Sequence, residues 1–163
     1  MIRSTRAPRS RNDEETVMSQ TTLGKNKALV LEAFDTLFNR RDYHGAARFW
    51  SPGYIQHSAH IAPGREGLFN LVRSLPPTLK YEPGLIVADG HFVIVHGRFS
   101  GFGAPANWIA ADILRIEDGS LVEHWDVIQD EATEEQSRSK LPMFGSSFPD
   151  YVTSKKTTGW PVM

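Results

Sequence analysis

Over residues 26–41 the apolar side chains Leu29, Val30, Ala33, Phe34, Leu37 and Phe38 recur at helical spacing, with Lys, Glu and Asp between them. That period places them on one stripe of an amphipathic helix. Asp42 then reads as the N-cap of a short second helix running through Ala46, Ala47, Phe49 and Trp50 and stopping before Pro52-Gly53. Residues 54–57 form a short predicted strand. Gly64-Arg65-Glu66-Gly67 opens a third helix carrying Leu68, Phe69, Leu71, Val72 and Leu75, which Pro76-Pro77 ends. Beyond it the period changes from helical to alternating. Residues 79–88 and 91–99 flank Asp89-Gly90, and residues 108–116 and 121–128 flank Glu117-Asp118-Gly119, so two hairpins are predicted. Helices followed by an antiparallel meander describe an α+β domain whose helices cover one face of a curved sheet. Such a sheet encloses a cone, and the open end of a cone is a natural ligand pocket.

Within the last predicted strand, His124 and Asp126 lie two residues apart, between Val122 and Ile128. Residues at that spacing share a face of a strand. An imidazole and a carboxylate on an apolar face are costly to desolvate unless hydrogen-bonded or wet, which marks a polar pocket floor. The register of the hairpin decides what lies opposite. A strict two-residue Asp118-Gly119 turn sets Ile116 against Leu121 and puts Arg115 on the face of His124 and Asp126. A three-residue loop with Gly119 in a left-handed bulge sets Asp112 against His124 instead. The second register is preferred, because it gathers Asp112, Leu114, Ile116, Val122, His124, Asp126 and Ile128 on one inner face and leaves Arg115 against Glu123 outside.

The chain has 163 residues, 40% of them hydrophobic, which suits one domain with a substantial core. Its formal charge of −1 gives no footprint for nucleic acid or an anionic membrane. Cysteine is absent, so disulfides and thiolate chemistry are excluded together. No apolar run approaches a membrane span and the N-terminus lacks the apolar core of a secretory signal, so a cytoplasmic protein is expected. Residues 1–25 alternate Arg with Ser, Thr and Pro before Asp13-Glu14-Glu15 and offer little to bury, which predicts a disordered tail, or translation that begins at Met18. Residues 149–163 are expected to form a C-terminal tail, leaving 26–148 as the folded domain.

Three blocks, Tyr54-Ile55-Gln56-His57-Ser58-Ala59-His60-Ile61-Ala62-Pro63-Gly64-Arg65-Glu66-Gly67, Ala111-Asp112-Ile113-Leu114-Arg115-Ile116-Glu117-Asp118-Gly119 and residues 122–129, together resemble the SnoaL-like proteins. The resemblance covers about residues 26–146, including Pro142-Met143-Phe144. It is to the branch of aldol-condensation and polyketide-cyclase type within the nuclear-transport-factor-2-like superfamily. It implies a cone-shaped α+β barrel, a homodimer packed through the sheet, and ring closure by acid-base side chains with no metal or organic cofactor. Many relatives of this fold only bind ligands, so fold transfers further than function.

Asp126 is the first candidate general acid/base, since an aldol closure needs a base for a proton alpha to a carbonyl and an acid for the oxygen that becomes alkoxide. Asp112, one strand away, is the candidate second carboxylate, because two close carboxylates share a proton and divide the two roles. His124 between them is expected to orient rather than carry the proton. The resemblance places His57 and His60 at the pocket mouth, as hydrogen-bond donors to a substrate oxygen. Their His-x-x-His spacing is unlike a zinc helix, and no metal is expected. Tyr54, Phe69, Phe99 and Trp108 are candidate walls for an apolar carbonyl compound; ordinary core is the alternative for each. An epoxide hydrolase is disfavoured, because no arginine falls on the inner face to complete an Asp-Arg-Asp set. The competing functional classes are a noncatalytic ligand-binding protein and a dimeric interaction module with a vestigial pocket.

Overall fold

The computed structural model describes the backbone of residues 11–150 and side chains from residue 22 onward. Helix α1 (Arg11–Phe34) runs into a π-helical turn (Asp35–Asn39), followed by α2 (Tyr43–Ala46), β1 (Trp50–Gln56), α3 (Gly64–Ser74), β2 (Lys80–Asp89), β3 (Phe92–Ser100), β4 (Trp108–Glu117) and β5 (Ser120–Asp130). The strands form a five-stranded sheet in the order β1-β5-β4-β3-β2. The pair β1–β5 is parallel and the other three pairs are antiparallel. The expected α+β class, with helices against one face of a curved sheet, is what the chain adopts. Among the described residues no helix is long and apolar enough to cross a membrane.

The amphipathic stripe of α1 and its π-turn buries Val30, Ala33, Phe34, Leu37 and Phe38 against Trp50, Phe69, Val93, Val95, Leu114 and Leu121. Burying a side chain of this size is worth roughly 1.5–3 kcal/mol, so this interface dominates the fold. Asn39 fastens the helical layer to the sheet edge. Its Oδ1 accepts from the Tyr81 amide at 2.8 Å and its Nδ2 donates to the Tyr81 carbonyl at 3.1 Å, which satisfies backbone that edge strand β2 otherwise leaves open. Arg41 donates to the carbonyls of Val72, Leu75 and Pro76 at 2.8, 3.1 and 3.1 Å. These acceptors lie at and beyond the C-terminus of α3, where Val72 and Pro76 also accept from the Leu75 and Leu79 amides at 3.3 and 3.1 Å, so one guanidinium gathers the end of the helix.

Two sequence expectations are corrected. The helix begins at Arg11 rather than Asn26, so the tail expected over 1–25 holds helix from residue 11; no apolar period marks that stretch, and the pattern that reveals an amphipathic helix is missing there. Residues 1–10 and the expected C-terminal tail beyond Asp150 lie outside the described residues. The second helix stops at Ala46, and Trp50, expected at its end, starts β1. Asp42 does cap it, accepting from the Gly45 amide at 2.9 Å. Trp50 leaves the helix because it pairs with Leu121 of β5 while its indole fills the core, and tertiary pairing outweighs the helical period.

After β5 the chain returns over the outer sheet face. Phe144 packs against Arg98 at 4.7 Å from guanidinium carbon to ring centre and lies 5.6 Å from the His96 ring. Gly84 makes room for it, since a Cβ there would meet the Phe144 ring at 2.9 Å. Arg98 also pairs with Glu131, which is 1% exposed, at 2.5 Å, and Asn107 Nδ2 donates to the second Glu131 oxygen at 2.8 Å. Glu131→Gln keeps the shape but removes the charge that Arg98 needs; it lowers unfolding free energy by about 1–3 kcal/mol in chemical denaturation. A variant as stable as the wild type contradicts this assignment.

Candidate functional site

The β4–β5 hairpin places the polar residues. Asp118 (φ 47°) and Gly119 (φ 72°) both adopt left-handed backbone, the geometry of a two-residue type I′ turn. Glu117 pairs with Ser120 and Ile116 with Leu121; the register then shifts, and Arg115 pairs with Glu123. The preferred three-residue loop is therefore corrected. The turn is the strict one, and the extra residue, Val122, is absorbed as a bulge inside β5. Leu121, 0% exposed, takes the core position expected of Val122, and the bulge turns His124 and Asp126 back inward. The inner face has the polar residues the pattern demanded, with different partners: Leu114 faces His124, and Asp112 faces Asp126 directly.

Directly paired residues on one face have Cβ atoms roughly 4.5–5.5 Å apart, close enough for the two carboxylates to feel each other strongly. Asp112 is 4% exposed. His124 Nε2 lies 3.0 Å from Asp112 Oδ1, and His124 Nδ1 lies 2.9 Å from Gln56 Oε1, which also accepts from the Ser58 amide at 2.9 Å. Asp112 Oδ2 is buried without a hydrogen-bond partner. Burial pushes the Asp112 carboxyl above the ordinary carboxylate range and the Asp126 charge adds to this, against the hydrogen bond and charge of His124. Burial likewise raises the Tyr54 phenol, helped by both carboxylates, so at neutral pH it stays protonated and able to donate.

These groups stand at one wall of a cavity of about 70 Å³, several times the roughly 10–15 Å³ that one water requires. The remaining walls are hydrocarbon: Phe34 and Phe38 from the first helix and its π-turn, Leu68, Leu71, Val72 and Leu75 on and just after α3, and Phe99, Phe102 and Trp108 where β3 passes into β4. Phe102 lies 4.1 Å from Trp108 between ring centres. Among the described residues no arginine lines the cavity. Arg115 sits outside with Glu123 at 2.7 Å, as the inner/outer division required.

Of the candidate residues, Asp112, His124, Asp126, Tyr54, Phe99 and Trp108 meet at this cavity. Phe69 does not line it. It is a core ring, 1% exposed, set edge-on to Trp50 at 5.5 Å. His57 is also corrected: its Nε2 lies 2.8 Å from Glu123 Oε1 and its ring stacks on Trp125 at 4.8 Å and 2°, on the outer face of the sheet. Gln56 turns inward to His124, and alternation sends the next residue outward. His60 is exposed in the loop before α3 and is not among the lining residues, so neither histidine stands at the mouth. Gln56 also belongs to the site, a residue the candidate set lacks. Its signal was available, since it lies two residues from Tyr54 and shares that side of the strand.

The model of the SnoaL-like domain matches residues 30–124, more than half of the chain. The chain belongs to the SnoaL-like family. No curated protein sequence matches it. Among solved structures, this SnoaL-like chain is similar to AclR from Streptomyces galilaeus, described as a candidate hydroxylase, at 27% identity and a TM-score of 0.54 over 66% of this chain and 81% of that one. It is also similar to a candidate ketosteroid isomerase from Kribbella flavida, at 18% identity and a TM-score of 0.62, over 78% of this chain and 97% of that one. An NTF2-like protein of unknown function from Cytophaga hutchinsonii aligns at 17% identity and a TM-score of 0.56, over 64% of this chain and 89% of that one. The fold is thus nuclear-transport-factor-2-like, and its neighbours include proteins named for enzymes.

Proposed function

We propose that this SnoaL-like protein is an acid-base enzyme acting next to a carbonyl on an apolar small molecule: an aldol-type cyclase, isomerase or dehydratase. The observation that carries the reading is the direct pairing of Asp112 with Asp126 at the polar wall of an otherwise hydrocarbon cavity. Their environments differ, and that difference divides the roles. Asp126, only half-buried, is the base: the bond between the alpha carbon and its hydrogen breaks and the proton passes to its carboxylate. Asp112, whose proton affinity burial raises, is the acid, and with the Tyr54 phenol it serves the carbonyl oxygen as negative charge develops there. The family resemblance supports side chains alone as the agents of both proton transfers.

The test is deuterium exchange at carbons alpha to the carbonyl in a panel of apolar ketones, followed by NMR in heavy water. Accelerated exchange, abolished by blocking the cavity, is the expected result. A ketone that binds while its alpha protons exchange no faster than in buffer supports the noncatalytic ligand-binding alternative instead.

We also propose a homodimer packed through the outer sheet face. Val87, Ile94, Ile113 and Trp125 pair in sequence across β2, β3, β4 and β5 and form one apolar row there. Val127 in the neighbouring row is 68% exposed and Ile94 41%. Contiguous apolar surface of this kind marks an interface. Ile94→Lys puts a charge in the middle of the row; in sedimentation equilibrium the wild type has the mass of two chains and the variant that of one. A monomeric wild type contradicts the proposal.

A further inference from the structure

The Gln56 carboxamide has its orientation imposed by a backbone donor. The Ser58 N–H reaches Gln56 Oε1 at 2.9 Å, and exchanging the oxygen and nitrogen of the amide would set two donors against each other. The atom 2.9 Å from His124 Nδ1 is therefore an oxygen, which only accepts. Nδ1 must carry a hydrogen. In the neutral ring this leaves a bare lone pair on Nε2, and Nε2 faces Asp112 Oδ1 at 3.0 Å. Two lone pairs do not make that contact; a proton lies between them, on one atom or the other.

We propose that Gln56 is a positioning residue that fixes His124 in its Nδ1–H form and so keeps one proton between His124 and Asp112. With Nδ1–H in place, Nε2 accepts from the Asp112 carboxyl and favours its acid form. Without the Gln56 oxygen the hydrogen moves to Nε2, which then donates to Asp112 Oδ1 and favours the carboxylate. Asp112 Oδ2 is buried without a hydrogen-bond partner. This role in catalysis rests on the reading of Asp112 as the acid; the state of the imidazole does not.

The experiment reads the imidazole itself, by long-range proton–nitrogen correlation NMR of His124 at neutral pH in the wild type, Gln56→Met and Gln56→Glu. In the wild type Nδ1 carries the hydrogen. In Gln56→Met, which lacks an acceptor, the hydrogen moves to Nε2. Gln56→Glu restores an oxygen that accepts from both Ser58 and His124 and returns Nδ1–H, a rescue that packing alone would not produce. A wild-type ring with a bare Nδ1, or a Gln56→Met ring still protonated there, overturns the proposal. Should Gln56→Met not fold, the wild-type spectrum alone still decides it. Failure of the enzymatic reading shows separately, as unchanged ketone exchange in Asp126→Asn, and leaves the His124 spectrum as it was.

Discussion

Asp126→Asn lowers the rate of alpha-proton exchange by about 10²–10⁴-fold, the usual contribution of a positioned general base. The amide has nearly the shape of the carboxylate and no basicity, so ligand affinity changes little while turnover collapses. Such a split, with kcat lost and KM kept, identifies an interaction that acts in the transition state rather than in binding. A variant that retains its rate and loses affinity instead assigns Asp126 to ligand orientation. The cavity geometry makes this residue decisive: Asp126 is paired directly with Asp112 and lines a cavity that is otherwise almost entirely hydrocarbon.

Asp112→Asn has an opposite pair of effects: activity falls, while stability at neutral pH is kept or raised. In the neutral pair, the acid hydroxyl donates to His124 Nε2, and an asparagine Nδ2 donates there equally well. Were Asp112 ionised beside an imidazolium, the substitution would strand a buried cation at a cost of about 3–5 kcal/mol. The pH dependence follows from the direction in which burial moves this carboxyl. Its folded-state pKa is raised, so below the unfolded value of about 3.9 the acid costs nothing in either state. As pH rises from there toward the raised folded value, the unfolded chain releases its proton more readily, and the wild type loses stability that the variant keeps. Melting temperatures of the two proteins converge in acid and separate in favour of the variant toward neutrality. A variant that melts lower at neutral pH than in acid, relative to the wild type, contradicts the neutral-acid assignment.

The inner face of the site was legible because a strand's period is two. His124 and Asp126 had to share a side, while Arg115 shares the other with Glu123 only because a bulge at Val122 shifts the register after the turn. What sits opposite what was not legible to the same degree. Asp118-Gly119 supports both a two-residue turn and a bulged loop, and the energy that decides between them comes from seating Leu121 in the core and pushing the extra residue to Val122. The resemblance puts the loop after β1 at the mouth, whereas the strand's own alternation carries His57 outward onto Trp125. Phe69 illustrates the general ambiguity of aromatic residues at helical spacing: core and pocket wall have the same pattern, and only the position of Trp50 separates them. The start of α1 at Arg11 had no apolar period to announce it.

The most direct test of the account is the protonation state of Asp112 at neutral pH, read from side-chain carboxyl carbons by NMR titration with Asp112→Asn as the assignment control. The account predicts a carboxyl carbon that stays in its protonated position well above the range where ordinary aspartates ionise and that disappears in the variant. A resonance that titrates with the other aspartates would remove the acid from the proposed pair and leave the cavity a binding site.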